Sequence, residues 1–304
     1  MSRSELRKDY IQDKYVIIAP RRGKRPQKME TGPKTTIPPC RLCPGQIDKE
    51  PFLLEVWGKK EWLIKVVANK FPAVSLDNSK AYGTQEVVIE TPEHGKHLEE
   101  LSDDQVAKLF WVYAGRTKTI SENKKIEYIL IFKNSGGPAG ASLQHAHSQI
   151  FATHFLPPNL FDKSQKVQSY KLRTGRCVYC DVLQKEKRGA RFIWDDNNVI
   201  AFAPYASLHN YEVWILPKRH LDNITNLTEA ERFSWAKILR HVLKKIVALN
   251  LPYNFYFHQV IHDEDQHLYM KITPRGSVWA GVEIGSGLII NPVSPEEAAE
   301  YYRE

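Results

Sequence analysis

Alternation of apolar and polar side chains marks much of the chain as short strands. Runs with a period near two cover Tyr15–Ile18, Leu63–Ala68, Glu86–Glu90, Glu127–Phe132, Ser148–Thr153, Arg191–Trp194, Val199–Ala203, Glu212–Leu216, Phe255–Phe257 and Leu268–Ile272. Amphipathic patterns behind an N-cap Ser or Thr predict long helices over Asp103–Asn123 and Glu229–Leu249, and a third helix is expected over Pro295–Arg303. The polar stretch Leu156–Arg176, with Pro157-Pro158 near its start, is expected to be a linker. This order predicts an α+β fold, each half packing one helix over a twisted antiparallel sheet.

The chain is also similar to itself. Gln85-Glu-Val-Val-Ile-Glu-Thr-Pro-Glu-His94 runs parallel to Tyr211-Glu-Val-Trp-Ile-Leu-Pro-Lys-Arg-His220 at an offset of 126, which Leu101-Ser102-Asp103 and Leu227-Thr228-Glu229 keep. Gln144-His-Ala-His-Ser-Gln-Ile150 matches Gln266-His-Leu-Tyr-Met-Lys-Ile272 at an offset of 122. An internal duplication follows. It divides the chain into a first unit over residues 1–160 and a second over 161–304.

The four cysteines form two Cys-x-x-Cys pairs, Cys40/Cys43 and Cys177/Cys180. A redox pair would open a helix after a strand, whereas Cys40 follows two prolines in a loop, and a disulfide over so short a span is strained. Metal binding is therefore favoured. In register, the repeats assemble Cys40, Cys43, His94 and His145 in one unit and Cys177, Cys180, His220 and His267 in the other. Two thiolates plus two imidazoles suit tetrahedral zinc, so two structural zinc ions per chain are expected, with no coordination position left open.

The glycine-rich stretch Asn134 to Gln149 carries the candidate chemistry. On one strand, His145, His147 and Gln149 would share a face. One imidazole would bind metal, the next attack phosphorus, and the amide donate to a phosphoryl oxygen. A structural histidine pair is the competing reading. The duplication separates the roles, because His145 has a counterpart in His267, whereas Tyr269 stands in place of His147 and Lys271 in place of Gln149. The first unit is thus expected to be catalytic and the second structural. Gly136, Gly137 and Gly140 suit a tight turn whose amides would hold phosphate.

Length and ordinary hydrophobic content suit two similar fused units. The Met1-Ser-Arg-Ser-Glu-Leu-Arg-Lys start lacks a following apolar stretch, and no apolar run approaches the roughly 20 residues of a membrane span, so a cytoplasmic chain without membrane attachment is expected. The net charge of +8 comes from scattered basic residues without a nucleic-acid-binding signature. It is read as a field favouring anionic nucleotides rather than nucleic acid.

Ala19-Pro-Arg-Arg-Gly-Lys-Arg-Pro26, Cys40-x-x-Cys43, Asn69-Lys-Phe-Pro-Ala73, Pro92-Glu-His94, Asn134 through Gln149 and Gly281-Val-Glu-Ile-Gly285 together give a specific likeness. Over nearly its whole length the chain resembles the galactose-1-phosphate uridylyltransferase branch of the histidine-triad superfamily, including the ADP-glucose phosphorylase-like members. The resemblance implies duplicated histidine-triad-like units and a covalent nucleophile at His147, with Gln149 stabilising the nucleotidyl intermediate. It places Arg22, Arg25, Asn69, Asn134, Gly140 and Ser142 at nucleotide- and phosphate-binding positions. It implies nucleotide sugar and sugar 1-phosphate substrates. Glutamine at position 149, where hydrolases of the superfamily carry a third histidine, argues for transfer over hydrolysis, since a sugar 1-phosphate leaves without an acid.

The acceptor end departs from the galactose enzymes. In that family a C-terminal strand bearing Lys, Tyr-Glu and Gln reaches the neighbouring subunit's site, which implies a homodimer. Here Glu283 persists in a comparable stretch of the second unit, Val282 replaces Tyr, and Lys and Gln are not evident. The expected activity is transfer of a nucleoside monophosphate, UMP first, between hexose 1-phosphates through a covalent nucleotidyl-histidine. The alternatives are an ADP-glucose phosphorylase-like adenylyltransferase using phosphate as acceptor, and a zinc-stabilised nucleotide-binding module without turnover.

Overall fold

The computed structural model describes residues 5–18, 40–261 and 263–304. Arg22 and Arg25, with the Ala19–Pro26 motif, lie outside the described residues, as does His262. In chain order come strands β1 (Glu5–Lys8) and β2 (Tyr15–Ile18), the single turn α1 (Pro44–Ile47), β3 (Leu54–Trp57), β4 (Trp62–Ala68), β5 (Gly83–Ile89), helix α2 (Asp103–Ser121), β6 (Tyr128–Ser135) and β7 (His147–Thr153). The second half continues with α3 (Pro158–Thr174), α4 (Val178–Glu186), β8 (Phe192–Asp195), β9 (Val199–Phe202), β10 (Val213–Pro217), α5 (Glu229–Ala248), β11 (Tyr253–His258), β12 (Tyr269–Pro274), α6 (Gly281–Ser286), β13 (Ile289–Asn291) and α7 (Pro295–Arg303).

The expected α+β architecture is present. Ten strands form one sheet in the order β3-β4-β5-β7-β6-β11-β12-β10-β9-β8. Each half reads inward in the same sequence, and the halves meet where β6 pairs antiparallel with β11. The register shows the duplication directly: Ile131 faces Ile150 in the first half, and Phe255 faces Ile272 in the second. A separate small sheet joins β1, β2 and β13.

Alternation sends one set of side chains under α2 and α5. Ile129, Ile131, Ile150, Phe255, Phe257, Met270 and Ile272 pack there against Phe110, Tyr113, Trp235 and Leu239 in a single core spanning both halves. Ser102 Oγ caps α2 by accepting from the Gln105 amide at 3.1 Å. Thr228 and Glu231 form a reciprocal capping box on α5. On the opposite face the halves differ. In the second, Val167, Tyr179 and Leu183 from α3 and α4 cover Phe202, Trp214 and Tyr269. In the first, the apolar cluster there is smaller among the described residues, Leu42 and Ile47 packing against Trp62, Val67 and Ile89.

Two expectations are corrected. The stretch expected as a linker forms α3, because Val167 packs into that second-half cluster and Pro158 suits the first helical turn. The acceptor-site strand expected through Gly281–Gly285 is instead the short helix α6: Glu283 Oε2 accepts from the Ala280 amide at 2.9 Å, and Gly287 ends the turn at φ 70°. The strand of that region is β13, which pairs parallel with β2.

Candidate active site

Two groups of metal-ligating side chains assemble as the repeats required. In the first, the donor atoms of Cys40, Cys43, His94 and His145 all lie within 4.8 Å of one another. Cys43 Sγ is 3.4 Å from His94 Nδ1 and 3.6 Å from His145 Nδ1. Tetrahedral zinc would hold a sulfur and a nitrogen about 3.6 Å apart, so the cluster already has the spacing the ion needs. His145 Nε2 donates to the Thr91 carbonyl at 2.8 Å, which turns the Nδ1 lone pair toward the thiols. Burial, opposed by that bond, pushes the His145 imidazole below its usual range and favours the neutral, ligating form.

The second group, Cys177, Cys180, His220 and His267, repeats this arrangement. Cys180 Sγ lies 3.5 Å from His220 Nδ1 and 3.6 Å from His267 Nδ1. His220 Nε2 and His267 Nε2 donate to the carbonyls of Glu264 and Pro217 at 2.7 and 3.1 Å. Cys177 precedes the first turn of α4, and its thiol is held low chiefly by the hydrogen bond from Cys180, against burial, with His220 and His267 adding.

His147 opens β7, and His145 lies just before the strand, so the two do not share a strand as expected. Their roles separate cleanly nonetheless. The His147 ring donates through Nδ1 to the His145 carbonyl at 2.8 Å, which leaves Nε2 with its lone pair. Burial pushes this imidazole below the usual histidine range, opposed by the carbonyl bond. A neutral imidazole with one fixed N–H is the nucleophilic form.

Gln149 follows two residues on, with its amide held in one orientation. Its Oε1 accepts from Gln85 Nε2 at 2.8 Å and from Asn69 Nδ2 at 3.4 Å. Asn69 is itself set by the Phe71 amide, and Gln85 by the Ala73 amide, at 2.9 and 3.1 Å. With the oxygen occupied, and no acceptor for them among the described residues, the Gln149 N–H donors remain for a ligand.

The loop between β6 and β7 supplies the other wall. Asn134 Oδ1 accepts from Asn254 Nδ2 at 2.8 Å, and the same Asn254 amide holds the Ala139 carbonyl at 2.7 Å, so the second half fixes the first half's loop. Gly136 and Gly140 adopt φ of 87° and 86°, which a side chain would strain; a Cβ at Gly136 would also meet Pro252 at 3.0 Å. A cavity of about 700 Å³ opens here, lined among others by His147, Asn134, Gly136, Gly137, Ser142 and Lys133. Gly140 and Ser142 are exposed on the loop, and Glu283 lies on α6, outside the lining.

The corresponding place in the second half is filled. Tyr269 stacks on Trp214 with ring centroids 4.7 Å apart and accepts from Lys163 Nζ at 2.7 Å. Lys271 is buried in an ion pair with Glu212 at 2.7 Å. Of the histidines outside both ligand sets, His209 and His258 are buried and His154 is exposed. Sequence reasoning missed Gln85, Asn254, Lys133 and Glu90. Gln85 opens the repeated block on the strand beside β7, and that polar position was the available signal.

Comparison with known proteins gives the setting. The family model of the N-terminal domain of galactose-1-phosphate uridyl transferase matches residues 59–157. ADP-glucose phosphorylase of Arabidopsis thaliana is 32% identical, covering 99% of this chain and 92% of that protein. Galactose-1-phosphate uridylyltransferase of Thermotoga maritima is 30% identical, covering 99% and 98%. Among solved structures, the Arabidopsis ADP-glucose phosphorylase with bound ADP-glucose superposes with a TM-score of 0.88 over 99% of both chains at 30% identity. A uridylyltransferase structure does so at 0.77 over 98% and 97%, at 27% identity.

Proposed function

The chain belongs to the galactose-1-phosphate uridylyltransferase family and is a nucleotidyltransferase, and from that premise we propose that it works through a covalent nucleotidyl-His147, moving UMP between hexose 1-phosphates. The observation that carries this is the His147 ring itself, tied at Nδ1 to the His145 carbonyl so that Nε2 is the free nucleophile. Nε2 attacks the α-phosphorus of a nucleoside diphosphate hexose, a P–N bond forms, the bond to the β-phosphate oxygen breaks, and hexose 1-phosphate leaves with the electron pair. The His145 carbonyl holds the Nδ1 proton while the ring carries the extra positive charge. Gln149 donates to a phosphoryl oxygen, its own oxygen being fixed by Gln85 and Asn69. Asn134, Gly140 and Ser142 line the phosphates, with Arg22 and Arg25 supplying cationic contacts. An incoming phosphate oxygen then displaces the histidine and restores it. No general acid is required, because a sugar 1-phosphate is already a good leaving group.

A second reading, transfer of AMP from ADP-glucose to inorganic phosphate, is favoured by the Arabidopsis phosphorylase matching at 32% identity and a TM-score of 0.88. Val282, where the galactose enzymes carry Tyr, and a Glu283 carboxylate engaged with its own helix point the same way. The family's enzymatic relatives set aside the module without turnover.

In this proposal residues 1–160 are the catalytic unit and 161–304 the structural unit that also brings the acceptor end. The two Cys₂His₂ sets hold one zinc each. Zinc there supplies folding energy and a rigid base for His145. The active form is a homodimer whose Glu283 meets the acceptor at the partner's site, and the chain works in the cytoplasm. Four cysteines outside any disulfide suit that compartment, and no helix among the described residues is long and apolar enough to cross a membrane.

The test is product analysis with UDP-glucose and ADP-glucose, each offered galactose 1-phosphate or phosphate, alongside His147→Gly. The wild type should retain a labelled nucleotidyl adduct that His147→Gly lacks, with metal content unchanged. Exchange of labelled glucose 1-phosphate into nucleotide sugar by His147→Gly would refute the covalent reading.

A further inference from the structure

Buried beside His147 is an ion pair that the nucleotidyl chemistry does not itself use. Lys133, 2% exposed, and Glu90, fully buried, meet at 2.7 Å from Nζ to Oε2, and the same Nζ donates to the carbonyl of His147 at 3.0 Å. The sheet explains why that carbonyl needs a donor. The Glu90 amide donates to the Ala146 carbonyl at 3.1 Å, which makes Glu90 and Ala146 the hydrogen-bonded pair between the neighbouring strands. His147, in the next and non-hydrogen-bonded pair with Ile89, therefore turns its carbonyl toward β6. The β6–β7 register ends at Phe132 and Gln149, so no ladder donor reaches it. Lys133 replaces the missing ladder bond.

The duplication supplies an internal control. Ile131 and Ile150 correspond by register to Phe255 and Ile272, so Lys133, two residues on from Ile131, corresponds to Phe257. Val88 faces Ser148 as Ile215 faces Met270, the counterpart of Ser148, so Glu90, two residues on from Val88, corresponds by register to Pro217. Phe257 and Pro217 are both buried. The half without a nucleophile thus fills these positions with apolar side chains, and the half with one carries a buried ion pair. Such a pair is seldom favoured over well-packed apolar groups, and Glu90 Oε1 makes no hydrogen bond among the described residues. Stability therefore does not account for it.

We infer that Glu90 and Lys133 are positioning residues for the nucleophile, resting on the reading of His147 as the covalent group. The dipeptide Glu90-Thr91 holds both histidines: the Thr91 carbonyl orients His145 Nε2, and the Glu90 carboxylate, through Lys133, fixes the backbone of His147. With the carbonyl clamped by Lys133 and Nδ1 clamped by the His145 carbonyl, the ring has one place to point. Because lysine arrives with its carboxylate, the backbone gains a strong donor while no net charge is placed beside an imidazole that becomes cationic in the adduct.

The experiment is rapid-quench measurement of adduct formation with labelled UDP-glucose and ADP-glucose on the full chain, comparing wild type, His147→Gly and the double variant Glu90→Leu/Lys133→Met, which replaces the ion pair with apolar side chains of similar length. Expected are unchanged metal content, a melting temperature equal to or above wild type, an unchanged donor KM and adduct formation about 100-fold slower, the scale of loss for a displacement of about 1 Å at a reacting group. Lys133→Arg, which keeps the donor and the charge, should recover most of the rate. A wild-type rate in the double variant overturns the inference and leaves the covalent reading standing. No adduct in wild type, or an adduct in His147→Gly, overturns both. Should the double variant fail to fold, Glu90→Gln, which keeps the shape but frees the ammonium from its carboxylate, is expected to slow adduct formation at least tenfold at unchanged KM, and an unaltered rate overturns the inference equally.

Discussion

Gln85→Leu tests whether the orientation of Gln149 matters to the reaction. Gln85 Nε2 makes the shorter of the two bonds to Gln149 Oε1, 2.8 Å against 3.4 Å from Asn69. Removing it leaves the Gln149 amide with one long bond and frees it to rotate its donors away from the phosphoryl group. A neutral amide–amide hydrogen bond contributes about 1 kcal/mol, so adduct formation should slow roughly fivefold. The Ala73 amide also loses its partner, but it is exposed and water replaces Gln85 there. Gln149→Ala removes the donor itself and should cost on the order of 100- to 1000-fold. Rapid-quench rates of all three variants close a double-mutant cycle. If Gln85 acts only through Gln149, adding Gln85→Leu to Gln149→Ala changes nothing further. Equal rates for Gln85→Leu and wild type, or the same fivefold loss on the Gln149→Ala background, would refute the reasoning.

Elemental analysis of the freshly purified chain should find two zinc ions, and Cys177→Ser or His267→Ala should release one and lower thermal stability by several kcal/mol, as expected where binding is coupled to folding; one metal or none in the wild type would count against this. Tyr269→His combined with Lys271→Gln should form no adduct on a His147→Gly background, because α3 and α4 cover that face; a labelled adduct at position 269 would show the second face open. Mixing His147→Gly chains with Glu283→Ala chains should restore part of the activity, since some heterodimers regain one complete site; inactivity after verified subunit exchange would argue against a shared site. Selectivity between galactose 1-phosphate and glucose 1-phosphate should be loose, since the polar contacts that reject an epimer are reduced here; strong discrimination in a competition assay would exclude that.

Local spacing along the chain already holds much of the site. Both Cys-x-x-Cys pairs, the repeated histidines and the substitution of His147 by Tyr269 needed only a comparison of the chain with itself, and the structure brings each ligand set within 4.8 Å. Alternation and capping placed β2 and α7 at their observed bounds, and α2 and α5 within two residues of theirs, because periodicity and N-caps act over a few residues. Tertiary structure alone decided what depends on burial and register. The supposed linker became α3 because an apolar stripe found a sheet face to cover, and a few apolar residues in a polar stretch do not announce that partner. The Gly281–Gly285 stretch became a helix through the bond from the Ala280 amide to the Glu283 side chain. Glu90 and Lys133 are 43 residues apart, and their ion pair exists only because antiparallel pairing ends at Gln149 and leaves one carbonyl of the nucleophile without a strand partner. Hydrogen-bond parity across three strands fixes that need, and no pattern read along a single strand contains it.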